Sequence, residues 1–113
     1  MTAKTDRELL ELAAKAAGLS HMKYLGGAGL GRMIDPARPD ETGTLGRSWN
    51  PLTDDGDALR LAVRLMMEMR ILKRTAHAEA LNGPGPCSEE SDDICSAVRR
   101  AIVRAAAAIG ETL

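Results

Sequence analysis

The sequence predicts a small α+β domain in which an antiparallel β-sheet packs between or against three α-helices, in the order α-β-β-α-β-β-α. Three amphipathic segments begin at capping residues and carry apolar residues at helical spacing, and pairs of short segments suited to strands follow the first two. The chain has 113 residues, of which 44% are apolar. This size and composition predict one domain, 1–113, whose core needs no metal or disulfide.

The core is predicted to consist of small and aliphatic side chains. The chain contains no Phe, and its aromatic residues are Tyr24 and Trp49. With so many alanines, space must be filled by close packing of helices and not by large anchoring side chains. We expect Trp49, which stands just before the second helix, to pack in the core; its alternative role is a contact for a partner protein.

The first helix is predicted over about 6–17. Thr5 and Glu8 have the spacing of a capping box, in which the Thr side chain accepts from the Glu8 amide and the Glu8 side chain accepts from the Thr5 amide. Leucines and alanines from Leu9 to Ala17 form an apolar face. Gly18 then supplies the positive φ that commonly ends a helix.

Two short strands are predicted after this helix, at 21–25 and 30–34. In the first, Met22 and Tyr24 share one face of the strand. Glycines and prolines dominate the surrounding stretch, so a flexible loop is predicted at about 26–48, with the part after Ile34 lacking regular structure.

The second helix is predicted over about 54–67, capped by Thr53 or Asp54. Asp54, Asp55 and Asp57 crowd its first turn, where the helix dipole favours negative charge. The helix is apolar on two sides. We expect one apolar stripe to face the core (Leu59, Ala62, Val63 and Met66). A separate charged side, with Asp57, Arg60 and Arg64, is expected to be solvated.

The two leucines outside that stripe predict self-association. Leu61 and Leu65 point away from the stripe that is expected to face the core, and Met67 follows them. If the chain itself does not cover them, these three residues meet a second copy across a two-fold axis. The other explanation is burial against a further element of the same chain.

The segment after the second helix has no clean period. A hairpin with strands near 69–74 and 76–81 is predicted, and continuation of the helix is the alternative, because Ala76 to Leu81 contains good helix formers. The run Asn82-Gly83-Pro84-Gly85-Pro86 ends either structure.

The last helix is predicted over about 91–109, capped by Ser91. Ile94, Val98, Ile102 and Ala105 form its apolar seam, which Cys95 widens. Arg99, Arg100 and Arg104 lie outside the seam. We expect a solvated face there; binding of phosphate is the alternative.

Composition argues against several classes of protein. The net charge of −1 gives no field that would attract nucleic acid or an anionic membrane. No stretch is apolar enough to cross a membrane, and the first residues lack the apolar segment of a signal peptide. We therefore expect a cytoplasmic protein in a reducing compartment, with Cys87 and Cys95 unpaired.

The motifs that suggest chemistry have simpler explanations. The glycines at 27, 29 and 31 lack the following helix that a phosphate cradle needs. The acids at 54–57 lack the alternation of a calcium loop. His21, His77, Cys87 and Cys95 lack the spacing of zinc ligands. With no nucleophile and base placed together, we expect no enzyme, no cofactor and no metal.

The segment from Trp49 to Val63, which begins Trp-Asn-Pro-Leu-Thr-Asp-Asp, resembles a family of small phage and prophage proteins, the phage α-β-α sandwich domain. Residues 8–18 and 99–106 are similar to the first and last helices of that family. The resemblance implies a small antiparallel sheet between helical layers and a bacterial cytoplasm. It implies no activity and no catalytic residues.

The expected function is therefore that of a phage-encoded accessory module that acts through protein contacts, with an unidentified protein or a second copy as partner. The alternative is a nucleic-acid-associated regulator that uses the basic residues of the last helix. The candidate interaction residues are Trp49, Leu61, Leu65, Met67, Arg99, Arg100 and Arg104.

Overall fold

The computed structural model describes residues 4–19, 21–25, 32–36 and 47–113. They form the predicted α+β fold, with two small sheets instead of one. The elements are α1 (Asp6–Ala16), β1 (Lys23–Leu25), β2 (Arg32–Asp35), β3 (Arg47–Ser48), α2 (Asp55–Arg64), β4 (Met67–Ile71), β5 (Thr75–Ala80), β6 (Cys87–Glu90) and α3 (Ile94–Gly110).

The predicted order of helices and strand pairs is confirmed, and each pair gains a third short strand. β1, β2 and β3 form one antiparallel sheet, and β4, β5 and β6 form the other. The expectation of a loop over 35–48 is wrong at both ends, because Asp35 closes β2 and Arg47 pairs opposite it in β3. Of the predicted 26–48 loop, residues 26–31 and 37–46 lie outside the described residues.

The hairpin after α2 is confirmed, and continuation of the helix is wrong. Leu65 caps α2, and Met66 has a φ of 51°, a left-handed conformation that a helix cannot continue through. The helix therefore ends three residues earlier than predicted. β4 begins at once and pairs with β5, with Met69 opposite Ala78.

α3 lies at the centre of the molecule and packs against α1, α2 and the β4–β6 sheet. Its buried face consists mainly of alanines, with Ile102 and Val103 fully buried. A Cβ at Gly110 would overlap the carbonyl of Leu12, so α1 and α3 meet backbone to backbone there. The prediction that small residues allow close helix packing is confirmed.

The predicted cap is confirmed at α1, and at α3 a different residue caps the helix. The capping box of Thr5 and Glu8 is present, and Gly18 has a φ of 72°. α3 begins at Ile94 and not at 91, because Asp93 is the cap: its carboxylate accepts from the Ser96 amide at 3.3 Å. Ser91, the predicted cap, instead accepts from the Asp93 amide.

The orientation predicted for α2 is wrong, because its two apolar sides are exchanged. Ala58, Leu61 and Ala62 are buried, and Leu65 packs against the core. Of the stripe expected in the core, Ala62 is buried as predicted, but Leu59 is 57% exposed, and Val63 and Met66 are exposed too. The carboxylate of Asp57 is buried and accepts from the Asn50 amide in the turn before the helix. Leu61 lies one helical turn later on the same face as Asp57, so this bond orients Leu61 toward the core.

Candidate interaction surface

An apolar cleft opens between α2, β4 and α3. We call it the α2–β4 cleft. It has a volume of about 290 Å³. Its walls are almost entirely hydrocarbon and come from all three elements (Ala58 and Leu59 of α2, Met69 and Ile71 of β4, and Ile94, Cys95, Val98 and Ile102 of α3).

Strand register explains why β4 presents apolar side chains to this cleft. Met69 is opposite Ala78 and Ile71 is opposite Ala76, and both alanines are buried in the core. Since directly opposite residues of an antiparallel pair share a face, Met69 and Ile71 lie on the helix-covered side of the sheet. They are nevertheless 39% and 56% exposed, because β4 is the edge strand.

An ion pair among the lining residues of the cleft joins α2 to α3. Arg99 Nη1 lies 2.6 Å from Asp55 Oδ1, and Arg99 Nε donates to the Leu52 carbonyl at 2.9 Å. Arg99 therefore holds the two helices together and is not the solvated side chain that was expected. Cys95, which was expected to pack in the seam of α3, is exposed and lies at the rim.

The other two arginines predicted as a basic site are also paired within the chain. Arg100 lies 3.3 Å from Asp6 and 3.7 Å from Glu89. Arg104 lies 2.7 Å from Glu89 and also donates to the Ser88 carbonyl. Each guanidinium that was considered for phosphate binding thus faces a carboxylate from another element, which leaves little net positive field along α3.

Trp49 takes the core position that was predicted for it. Its side chain is buried, and its amide donates to the Met33 carbonyl at 2.9 Å. It is therefore inaccessible as a contact for a partner. Of the other predicted interaction residues, Leu61 is buried, and Leu65 and Met67 are partly buried against the core.

Comparisons with protein-family models, curated proteins and solved structures found no match. No helix within the described ranges is long and apolar enough to cross a membrane.

The turn that leads into α2 is built around the buried carboxylate of Asp57. Asp57 Oδ2 accepts from the Asn50 amide at 2.9 Å, and Arg60 donates to Oδ1 at 2.7 Å. The Asp57 amide in turn donates to Asp54, the cap of the helix, at 2.8 Å. Asp57 was expected on the solvated face, so its role in fixing the turn was missed.

Two histidine pairs form outside the cleft. His77 Nδ1 lies 2.6 Å from Ser88 Oγ, across the strands β5 and β6, and His21 lies 3.1 Å from Asp35. The serine was not singled out because no strand was predicted at 87–90. A serine nucleophile also needs a group that orients the far side of its histidine, and the part of the chain that the structure describes gives His77 no second hydrogen bond.

The cysteines differ in their surroundings, and both thiols are free. Burial raises the pKa of the Cys87 thiol above its ordinary value; Arg104 opposes this rise and Glu89 adds to it. Among residues 4–19, 21–25, 32–36 and 47–113, no three His, Cys, Asp or Glu side chains are grouped as metal ligands would be. The four residues considered as zinc ligands are not brought together there.

A second, more polar cleft lies on the other side of the exposed ridge of α2. It measures about 550 Å³ and is lined in part by Leu59, Val63, Arg60 and Arg64. Arg64 Nε donates to the Ala17 carbonyl, which ties α2 to the end of α1. Because Arg60 is bonded to Asp57 of its own helix and Arg64 to the end of α1, and because the α2–β4 cleft has more apolar walls, the α2–β4 cleft is the stronger candidate for contact with another molecule.

Proposed function

We propose that the protein is a small non-enzymatic accessory module, encoded by a phage or prophage, which binds another protein in the bacterial cytoplasm through the α2–β4 cleft. The phage origin is supported by the resemblance of residues 49–63 to the phage α-β-α sandwich domain. The binding surface is supported by one observation, the exposed apolar lining formed by Leu59, Met69 and Ile71.

An apolar lining of this kind favours a protein partner over a small polar substrate. Contiguous apolar patches on a folded domain mark interaction surfaces. Small-molecule sites add convergent polar groups to their apolar walls. Here the polar groups at the cleft are those of Asp55 and Arg99, which are already paired with each other.

The cleft also has side chains suited to contact with a protein. Met69 is unbranched and adapts its shape to a partner, while Leu59 and Ile71 supply hydrocarbon on two facing walls. The alternative of a nucleic-acid regulator has less support, because the arginines of α3 are engaged with Asp55, Asp6 and Glu89.

Site-specific photo-crosslinking in the native host tests the proposal. A photoreactive p-benzoylphenylalanine is placed at Leu59, on the cleft, and in a control protein at Glu79, which is exposed on the other face of the β4–β6 sheet. We expect Leu59→p-benzoylphenylalanine to capture a discrete polypeptide different from this chain, and the control to capture none. Absence of capture from position 59, or the same capture from both positions, contradicts the proposed surface.

Gene neighbourhood tests the origin separately. Phage structural or early regulatory genes on both sides support it and also distinguish an assembly role from a regulatory one. A neighbourhood of host metabolic genes contradicts it.

A further inference from the structure

One edge of β4 is free, and the backbone groups that point toward that edge can be identified. Within the described residues β4 pairs only with β5. The Leu72 amide donates to the Thr75 carbonyl at 2.8 Å, so 72 and 75 form a hydrogen-bonded pair. Because such pairs alternate in antiparallel sheets, residues 68 and 70 also bond to β5. The amide and carbonyl groups of Met67, Met69 and Ile71 therefore point outward.

The opposite side of the same sheet supports this assignment. The Ser91 amide donates to the Arg74 carbonyl, which makes the even-numbered residues of β5 the ones that bond to β6. The odd-numbered residues of β5 are then left to bond to β4. The two deductions agree on which groups face the free edge.

The side chains of β4 are divided between the faces of the sheet. Met67, Met69 and Ile71 lie on the helix-covered face. Glu68 and Arg70 lie on the other face, where both are exposed and neither has a salt-bridge partner among the described residues. Within the chain Glu68 stands opposite Glu79, a like-charged pair that is unfavourable.

The order of residues in β4 is complementary to itself. When two copies of the strand run antiparallel about a two-fold axis at Met69, Met69 faces Met69 of the other copy. Residues that lie equally far before and after Met69 then face each other across the seam. Glu68 of each copy then faces Arg70 of the other, and Met67 faces Ile71 of the other. Both pairings are favourable, since opposite charges meet on one face and apolar side chains meet on the other.

We infer that β4 is the site of homodimerisation, pairing antiparallel with β4 of a second copy about a two-fold axis at Met69. The outward-pointing groups of the two strands would form about six intermolecular hydrogen bonds. The result is one continuous six-stranded sheet with the helices of both copies on the same side. Each Glu68 gains a cation that offsets its neighbour Glu79.

The other edge of the sheet lacks these features. β6 follows Pro86 and carries two acids, Glu89 and Glu90, with no base. A two-fold axis at its centre would place no positive charge opposite either acid. Charges of one sign and nearby prolines are common protections of an edge strand against pairing, and β4 has neither. This places the second copy on β4 and not on β6.

Charge reversal tests the register as well as the surface. Sedimentation velocity of the full chain is expected to show twice the 12.0 kDa monomer mass. Glu68→Arg alone and Arg70→Glu alone each replace two attractive pairs with two repulsive ones, and we expect the dissociation constant of the dimer to rise about ten-fold or more. The double variant E68R/R70E restores attraction with the signs exchanged and should dimerise like the parent.

A mixture of the two single variants provides the decisive control. Their strands are complementary to each other although neither is complementary to itself, so the mixture should form heterodimers. Both substituted residues are exposed, with E68R placing an arginine opposite Glu79 and R70E a glutamate opposite His77, so each variant should keep the far-UV circular dichroism of the parent.

A parent that sediments as a monomer across micromolar to submillimolar concentrations overturns the inference. So does a parent dimer that tolerates either single variant, or a mixture that stays monomeric. Met69 and Ile71 border both the cleft and the dimer seam, but the two tests have separate readouts: capture from position 59 on α2 concerns a different polypeptide, and no variant here alters the wall of the cleft formed by Leu59.

Discussion

Removing the carboxylate of Asp57 is the most direct test of how the turn after Trp49 is held to α2. In the variant Asp57→Ala the Asn50 amide loses its acceptor, and Arg60 loses a carboxylate 2.7 Å away. The Asp57 side chain is only 9% exposed, so water cannot readily replace it. The variant leaves a partly buried amide without a partner.

The expected cost follows from these contacts. A hydrogen bond to a charged acceptor is worth about 1.5–3 kcal/mol. The Arg60 pair adds less than about 1 kcal/mol, because the Arg60 side chain is largely in solvent. Loss of a negative charge from the first turn adds about 0.3–1 kcal/mol. We expect the free energy of unfolding to fall by about 3 kcal/mol.

Urea denaturation followed by the fluorescence of Trp49 measures this change. Asp55→Ala is the matched control, since Asp55 lies in the same helical turn but is 75% exposed, and its ion pair should contribute at most about 1 kcal/mol. Asp57→Asn keeps one acceptor and should fall between the two. An Asp57→Ala variant no less stable than Asp55→Ala would refute the assigned role.

Three further predictions concern the helix cap, the helix contact and the thiols. Asp54→Ala should lower the free energy of unfolding by about 1 kcal/mol, because its carboxylate caps α2 at 2.8 Å. Gly110→Ala should lower it by about 1–3 kcal/mol, since the added Cβ overlaps the backbone of α1. Near pH 8, iodoacetamide should modify exposed Cys95 well before Cys87, whose pKa is raised by burial, as peptide mass spectrometry would show.

The two stability predictions each have a control in the same chain. Thr53→Ala should leave stability unchanged, and a loss equal to that of Asp54→Ala would show that the threonine shares the cap. Gly56→Ala should cost less than Gly110→Ala, because its Cβ meets side-chain atoms of Arg60 and Asp54 at 3.2 Å and no backbone atom; equal loss at positions 56 and 110 would contradict the close contact.

The pH dependence of the Cys87 thiol has a definite sign. A raised pKa means that the folded state favours the protonated form. This preference stabilises the folded protein fully at pH values below the pKa of the unfolded thiol. The stabilisation is lost as the pH rises through the higher pKa of the thiol in the folded state. In a Cys95→Ser background, thiolate absorbance should therefore rise at higher pH in the folded protein than in urea; coincident curves would contradict the burial effect.

Local chemistry made the helix starts predictable to different degrees. The reciprocal bonds of Thr5 and Glu8 depend only on residues three apart, so the start of α1 follows from the sequence. At α3, Ser91 and Asp93 are equally good caps by composition. Which one caps depends on where β6 ends, and a strand with the sequence Cys-Ser-Glu-Glu forms because β5 pairs with it and not because of its own propensity.

The candidate surface was largely beyond prediction. α2 is apolar on two sides, and the choice between Leu59 and Leu61 depends on the bond from Asp57 to the turn before the helix. Nothing in the sequence marks Met66 as the residue with positive φ that ends α2 and starts β4. The α2–β4 cleft combines three elements that are distant in sequence. The complementary order of charges in β4, in contrast, is visible in the sequence once the strand is known.

The central position of α3 has a consequence for synthesis on the ribosome. α3 comes after every element that packs on it, so the contacts that bury α1, α2 and the β4–β6 sheet must wait until its residues have left the exit tunnel. Until then the nascent chain exposes the edge of β4 and the alanine-rich faces to other chains, the kind of surface that aggregates during slow or incomplete folding. Synchronised translation with ribosomes stalled before and after residues 94–110 should show protease resistance only in the longer chains.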